Sequence, residues 1–176
     1  MPVKYTAEAL AATVAGKLPS NAKALGMAAQ AGKKAKRERV VKIVALPPST
    51  YDAVTGTCTV VLPLPPMALR PNGRPGKWDK IKAVAQAREM AAYTTAQALK
   101  SKRPGWTGAN VFLTVYLTSR RGSDTGNWIA SCKAHEDGIA DAGLVMNDSG
   151  NVWQPVAVEA DRTCPRIELT FQRIDQ

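Results

Sequence analysis

The chain has 176 residues, of which 45% are hydrophobic, and a net charge of +10 with an isoelectric point near 9.8. This length allows one domain with a proper core plus an extension, and no apolar run is long enough to span a membrane. The charge favours an acidic polymer as partner, although a basic surface without such a role is the alternative. Three widely spaced cysteines, Cys58, Cys132 and Cys164, argue against a disulfide framework or zinc site and for a reducing, cytoplasmic compartment.

Most of the positive charge lies in the N-terminal part: residues 1–47 carry +7 and residues 48–176 carry +3. We therefore expect residues 1–50 to be a basic arm and linker, flexible or partly helical, and residues 51–176 to be the folded domain. The basic cluster at residues 33–39 suits non-specific contacts with phosphates. A helix–turn–helix in the arm, with Ser20 or Asn21 capping its second helix, is the alternative.

The first half of the domain predicts a strand, a loop and a helix. Residues 57–64 are typical of a strand, which Pro65 and Pro66 end. The prolines and glycines of residues 70–76 predict a loop. Residues 77–101 predict a long helix. The residues that recur there at helical spacing are Ile81, Val84, Ala85, Arg88, Ala92 and Ala96.

The second half predicts three strands and a further helix. Residues 110–118 alternate as a strand covered on one face and partly covered on the other. A helix over residues 128–142 closes at Gly143, and strands at 152–159 and 166–173 are joined by a hairpin turn at Asp161 and Arg162. The element order predicts an α+β fold: a mixed β-sheet of about four strands covered by two main helices, with the basic N-terminal extension.

The second helix carries two distinct stripes. One stripe is predicted to face away from the core and the other towards it. The outer stripe contains Ala130, Lys133, Ala134, Asp137 and Asp141, and the inner stripe contains Trp128, Cys132, His135, Ile139 and Ala142. The single histidine is thus predicted to be a packed core residue. The charged outer residues alone would equally suit a solvated ladder of i, i+4 contacts.

Acidic residues on both sides of this helix change that interpretation. Asp124 precedes the helix and Asp148 follows it. Carboxylates from two loops and a helix, beside a lysine, are what a Mg²⁺ site for phosphodiester cleavage needs. We expect Asp124 and Asp148 to hold the metal and Lys133 to stabilise the charged phosphate. Asn127 either orients a metal-bound water or caps the helix.

This pattern resembles the RusA family of Holliday junction resolvases, which is common in phages and prophages. In that family an Asp-x-Asp-Asn motif precedes a helix with a lysine and an aspartate, and an Asp-Asp pair follows. Residues 124–127 (DTGN) resemble the first motif, Lys133 and residues 137–144 resemble the helix, and residues 147–148 (ND) resemble the pair. Upstream, residues 64–66 (LPP), 70–74 (RPNGR) and Trp78 are similar to the opening of the family. The resemblance covers about residues 57–173.

The resemblance implies a homodimeric, Mg²⁺-dependent endonuclease, with Mn²⁺ as a substitute metal, which makes paired nicks across four-way DNA junctions in recombination and repair. The expected catalytic residues are Asp124, Lys133 and Asp148, and the expected metal ligands are Asp124, Asp137 and Asp148. Contacts with DNA are expected from Arg70, Asn72, Arg74, Lys77, Lys80, Arg120, Arg121 and Asn127. The expected location is the cytoplasm, that of the bacterial host if a phage encodes the chain, with no membrane as partner.

The sequence departs from the family pattern at two positions. Gly126 replaces the second acid of the first motif, and Asn147 replaces the first acid of the pair. Asp137 or Glu136 is the candidate replacement for the missing ligand, with water as the alternative. Two other functions stay open: a catalytically weakened relative that binds branched DNA, and a cationic phage protein whose acidic helix is a protein–protein surface.

Overall fold

The computed structural model describes residues 45–119 and 125–174. These residues form an α+β fold, as predicted, in which the mixed sheet has six strands rather than about four. The strands are β1 (Thr50–Asp52), β2 (Thr57–Pro63), β3 (Ala109–Leu117), β4 (Val152–Trp153), β5 (Ala157–Ala160) and β6 (Arg166–Arg173), and the helices are α1 (Lys77–Ala98) and α2 (Thr125–Asp141). A short 3-10 helix covers Met67–Leu69. The expectations for residues 1–44 lie outside the described residues.

The strand order is β1-β2-β6-β3-β4, and β5 also pairs with β3. The pairs β1–β2, β2–β6 and β6–β3 are antiparallel, whereas β4 and β5 run parallel to β3. The predicted hairpin at Asp161 and Arg162 is wrong, because β5 and β6 each pair with β3 and not with one another. The carboxylate of Asp161 instead accepts hydrogen bonds from the backbone N–H groups of Thr163 (2.9 Å) and Cys164 (3.0 Å), which turn the chain towards β6.

The core lies between one face of the sheet and the two helices. Alternate residues of β2, β3 and β6 point into it, as the period of two in a strand requires. They are Cys58, Val60, Leu62, Val111, Leu113, Val115, Ile167, Leu169 and Phe171, all at most 1% exposed. On the other face Phe112 is 41% exposed while Thr114 and Tyr116 are half-buried, so the prediction that β3 is covered on one face and partly covered on the other is confirmed.

The buried face of α1 consists of small residues: Ala83, Ala87, Ala91 and Thr95. The larger residues that followed helical spacing in the sequence, Ile81 and Val84, are exposed instead. Close packing of α1 on α2 explains this choice, because a Cβ atom at Gly138 of α2 would lie 2.1 Å from the backbone oxygen of Arg88. Helices that approach so closely leave room only for small side chains at the contact.

The inner stripe of α2 is confirmed: Trp128, Cys132, His135, Ile139 and Ala142 are all buried. One residue of the predicted outer stripe, Ala134, is also buried because α1 packs over it. Helix α2 includes residues 125–127, so Asn127 lies within its first turn and is not the N-cap. The three cysteines are free and buried, and no helix in the described part of the chain is long and apolar enough to cross a membrane.

The sheet includes residues just before the predicted boundary at residue 51. Strand β1 starts at Thr50, and the hydroxyl of Ser49 accepts a hydrogen bond from the backbone N–H of Val61 (2.8 Å). Part of the segment predicted as a linker is therefore attached to the edge of the sheet.

Candidate active site

The ammonium group of Lys133 is the centre of a cluster of carboxylates. It donates hydrogen bonds to Glu136 (3.2 Å) and to Asp148, and it lies 3.6 Å from an oxygen of Asp137. We call Lys133, Glu136, Asp137 and Asp148 the Lys133 cluster. One positive and three negative charges meet there, so the cluster carries excess negative charge when all four groups are ionised.

Helix periodicity and one anchored loop bring these residues together. Glu136 and Asp137 follow Lys133 by three and four positions, which places them on its side of α2. Beyond α2 the chain is tied to the segment before β3: Trp106 donates its backbone N–H to Leu144 (3.0 Å). The loop then passes close to the same segment before β3, where a Cβ atom at Gly150 would lie 2.1 Å from the backbone oxygen of Thr107. This return of the chain carries Asp148 back to Lys133.

Glu136, which the sequence named only as an alternative to Asp137 for the missing ligand, lies within the cluster. Its side chain is only 2% exposed, and its second oxygen accepts a hydrogen bond from the amide of Asn151 (2.8 Å). The amide oxygen of Asn151 is buried and has no hydrogen-bond partner among the described residues. Glu136 therefore connects α2 to the loop that carries Asp148. Asn151 is the residue here that the sequence pattern did not single out.

Lys133 and Asp148 hold each other in their charged forms. Desolvation alone would lower the pKa of Lys133, but hydrogen bonds to Asp148 and Glu136 outweigh it and raise the pKa above its usual value. The hydrogen bond from Lys133 likewise lowers the pKa of Asp148. Lys133 is consequently a fixed cation at neutral pH rather than a general base.

Asp141 does not belong to the cluster, although the sequence placed it on the same stripe. It accepts two hydrogen bonds from the guanidinium of Arg88 on α1, at 2.5 and 2.8 Å. This hydrogen bonding lowers the pKa of Asp141. Asp141 therefore fastens α2 to α1, and the acidic face of α2 divides into two parts with different partners.

Other reactive side chains of α2 are neutral and packed. Burial lowers the pKa of His135 to about 4 and raises the pKa of Cys132 to about 12. An uncharged imidazole in the core and a protonated thiol supply neither a surface base nor a nucleophile. The prediction that His135 is a core residue is confirmed.

A groove of about 350 Å³ adjoins the Lys133 cluster. The loop after the 3-10 helix forms one wall, and the first turns of α1 together with α2 form the other. Among the described residues, four charged side chains line it: Arg70, Lys80, Lys133 and Asp137. The groove thus joins two residues expected to contact DNA to two residues expected in the catalytic site.

The remaining predicted residues are distributed around this groove or lie outside the described part of the chain. Asn72, Arg74 and Lys77 are exposed but do not line the groove. Asn127 is half-buried, and its backbone oxygen accepts a hydrogen bond from Ser131 (2.7 Å). The structure does not describe Asp124, Arg120 and Arg121. Within residues 45–119 and 125–174, no three His, Cys, Asp or Glu side chains are grouped so as to hold a metal ion.

Comparison with known proteins places the chain in a family without assigning an activity. The chain is 30% identical over 126 residues to an uncharacterized protein of Xylella fastidiosa (strain Temecula1 / ATCC 700964). The aligned region covers 67% of this chain and 78% of that protein. The chain belongs to the same family as that protein. No protein-family model matches the sequence.

Proposed function

We propose that this protein is a metal-dependent, structure-selective endonuclease that nicks branched DNA, and that four-way junctions are its substrate. The observation that carries the proposal is that the Lys133 cluster lies directly beside a groove lined by Arg70 and Lys80. Cations along a groove bind the phosphate backbone, while carboxylates beside a fixed ammonium supply the chemistry of phosphodiester cleavage. The net charge of +10 suits the same substrate.

The donor groups suit a hard divalent cation such as Mg²⁺, or Mn²⁺ in its place. Asp137 and Asp148 present carboxylate oxygens to the ammonium group of Lys133, so a metal ion would bind beside that group and take oxygens from the same two carboxylates. Asp124 is the proposed third ligand. When bound, the metal would lower the pKa of a water molecule and neutralise charge on the phosphate.

The chain's own residues would bind and orient the DNA. Arg70 and Lys80 would hold phosphates along the groove, and Arg74 and Lys77 would extend this contact over the adjacent surface. Lys133 would stabilise the negative charge that develops on the phosphoryl oxygens. A homodimer would supply one such site for each of two strands.

The test is cleavage of a labelled four-way junction at increasing Mg²⁺ or Mn²⁺ concentration, with a linear duplex of the same sequence as control. The proposal predicts metal-dependent, symmetric nicks in the junction and little cleavage of the duplex. Equal cleavage of both substrates would contradict junction selectivity. No cleavage at any metal concentration would contradict the nuclease itself.

A second candidate function is a relative that binds branched DNA without efficient cleavage. The observation in its favour is Gly126, which is exposed in the first turn of α2 where the resemblance expects a carboxylate. If the missing ligand limits the reaction, Gly126→Asp should raise the cleavage rate sharply without changing junction affinity. An unchanged rate would show that another residue already fills the role.

A further inference from the structure

The groove beside the Lys133 cluster has the properties of a site for one nucleotide rather than for a duplex. Its volume of about 350 Å³ lies near the lower end of the range for small-molecule sites, about 300–1,000 Å³. Much of its lining is apolar, including Leu69, Pro71, Val84 and Ala130. A surface that contacts only phosphates has no need of such walls, whereas an unpaired base does.

Arg70 provides the second observation. Its guanidinium lies over the ring of Trp128, 5.1 Å from the ring centre, and the residue also lines the groove. Its Nε atom is buried and has no hydrogen-bond partner among the described residues. A buried donor without a partner is costly, so a ligand that accepts a hydrogen bond there would be favoured. Trp128 holds the planar group in place before any ligand arrives.

The charges in the groove are arranged for a ligand with one apolar and one anionic part. Arg70, Lys80 and Lys133 supply positive charge, and Asp137 is the one acidic residue of the lining within the described part of the chain. A nucleotide has this character, because its base stacks on apolar or guanidinium surfaces and its phosphate needs cations. Fully paired DNA keeps its bases stacked and offers the groove only phosphates.

We propose that the groove binds a single unpaired nucleotide at the branch point of the DNA, with the base between Arg70 and the apolar wall of α1 and α2. This inference rests on the proposed function and specifies the part of the substrate that the site recognises. The nucleotide lies next to the Lys133 cluster, so recognition of an unpaired base selects the phosphate to be cleaved. Because stacking on a guanidinium and apolar walls is tolerant of base identity, the groove reads unpairing more than sequence.

The test compares three junctions that differ at one branch-point position: a paired base, an unpaired 2-aminopurine, and an abasic site. Binding is measured without divalent metal, so that cleavage plays no part. The wild-type protein should bind the unpaired junction about 5- to 100-fold more tightly than the abasic one. The 2-aminopurine fluorescence should change on binding.

Two variants locate the effect in the groove. Ala130→Trp fills the groove from an exposed position of α2, whereas Ala85→Trp places the same side chain on an exposed part of α1 that does not line it. Ala130→Trp should remove the preference for the unpaired base, and Ala85→Trp should retain it. Arg70→Lys keeps the charge but loses the planar stacking surface, so it should weaken only the unpaired junction.

Failure of this inference is distinguishable from failure of the proposed function. Equal affinity for the three junctions, or an unaltered preference in Ala130→Trp, would overturn the nucleotide site even if the wild type cleaves paired junctions. A preference for the unpaired base that Ala130→Trp removes supports the site, including when no metal restores cleavage; the nuclease proposal alone would then fail.

Discussion

Two ion clusters in this protein are built from similar groups but differ in completeness. Arg166 donates hydrogen bonds to Asp161 (2.7 Å), Glu168 (2.7 Å) and the backbone oxygen of Cys164 (3.0 Å), and its guanidinium lies 3.7 Å from the ring centre of Tyr116. Lys133 instead meets three carboxylates, one of them buried. The side chain of Arg166 is 11% exposed and that of Lys133 is 55% exposed.

The difference separates a structural cluster from a candidate functional one. Around Arg166 two carboxylates, a backbone oxygen and an aromatic ring contact the cation, and the partners lie within five residues of it on the chain or on the neighbouring strand. Around Lys133 the negative charge exceeds the positive, a buried amide oxygen of Asn151 has no described partner, and a groove opens beside it. Incomplete compensation next to a cavity is typical of a site that a ligand completes.

The largest effect on stability is expected from Arg166→Met. This change leaves Asp161 and Glu168 without their cation, and the free energy of unfolding should fall by more than for loss of an exposed ion pair, because the side chain of Arg166 is only 11% exposed. Urea denaturation measures the loss. Lys133→Met is the matched variant and should cost less stability while removing cleavage. Equal stability losses in the two variants would erase the distinction between the clusters.

The next effect concerns pH and the core side of α2. His135 has a pKa of about 4 in the folded protein and near 6.5 when unfolded, so the unfolded chain binds more protons between these values. The contribution of neutral His135 to the free energy of unfolding is fully present above pH 6.5. About 3 kcal/mol of it is lost as the pH falls towards 4. Denaturation curves of the wild type and His135→Gln between pH 7 and pH 4 test this. If the free energy of unfolding fell with pH as steeply in the variant as in the wild type, other groups would be the cause of the acid sensitivity.

A smaller effect is expected when the Lys133 cluster loses its buried charge. Glu136→Gln keeps an acceptor for Asn151 but removes the carboxylate that holds Lys133. The cleavage rate at saturating junction should fall about tenfold, which corresponds to roughly 1.4 kcal/mol, because Lys133 is less firmly positioned. Junction affinity should change less than twofold. Glu89→Gln, an exposed residue of α1, serves as the control.

The smallest effect separates two aspartates one turn apart on α2. Asp141→Asn weakens an exposed ion pair with Arg88, so it should cost about 0.2–1 kcal/mol of stability and leave cleavage unchanged. Asp137→Asn removes a carboxylate of the Lys133 cluster and should lower cleavage at low Mg²⁺ concentration. If both variants cleaved like the wild type, Asp137 would be removed from the proposed ligands.

The sequence predicted what depends on local periodicity. Alternation in residues 110–118 placed β3 within a residue of its observed bounds, the strand predicted at residues 166–173 matches β6, and the 3.6-residue period placed His135 in the core. The pairing of β5 and β6 on opposite sides of β3 depends on contacts distant along the chain, which a local turn signal does not report. The same limit explains why the small residues of α1, rather than Ile81, form its buried face.

In the candidate site, too, the sequence predicted contacts between residues close along the chain and missed those that depend on packing. Lys133, Asp137 and Asp148 were predicted together and do lie together, because a helix period and a short return loop bring them into contact. Glu136 was named only as an alternative to Asp137, and its partner Asn151 was not assigned, since a glutamate inside a helix gives no sign of burial by itself. The pairing of Asp141 with Arg88 depends on the packing of α1 against α2, which spacing along one helix does not reveal.

The central claim is that the Lys133 cluster cleaves DNA, and Asp148→Asn tests it most directly. The measurement is the rate of junction nicking by wild type and variant at saturating DNA and Mg²⁺, with equal folded fractions verified by denaturation. The claim predicts a loss of at least about 100-fold in the variant, as for removal of a group that stabilises a transition state, with junction affinity retained. Nicking by Asp148→Asn at the wild-type rate would contradict it.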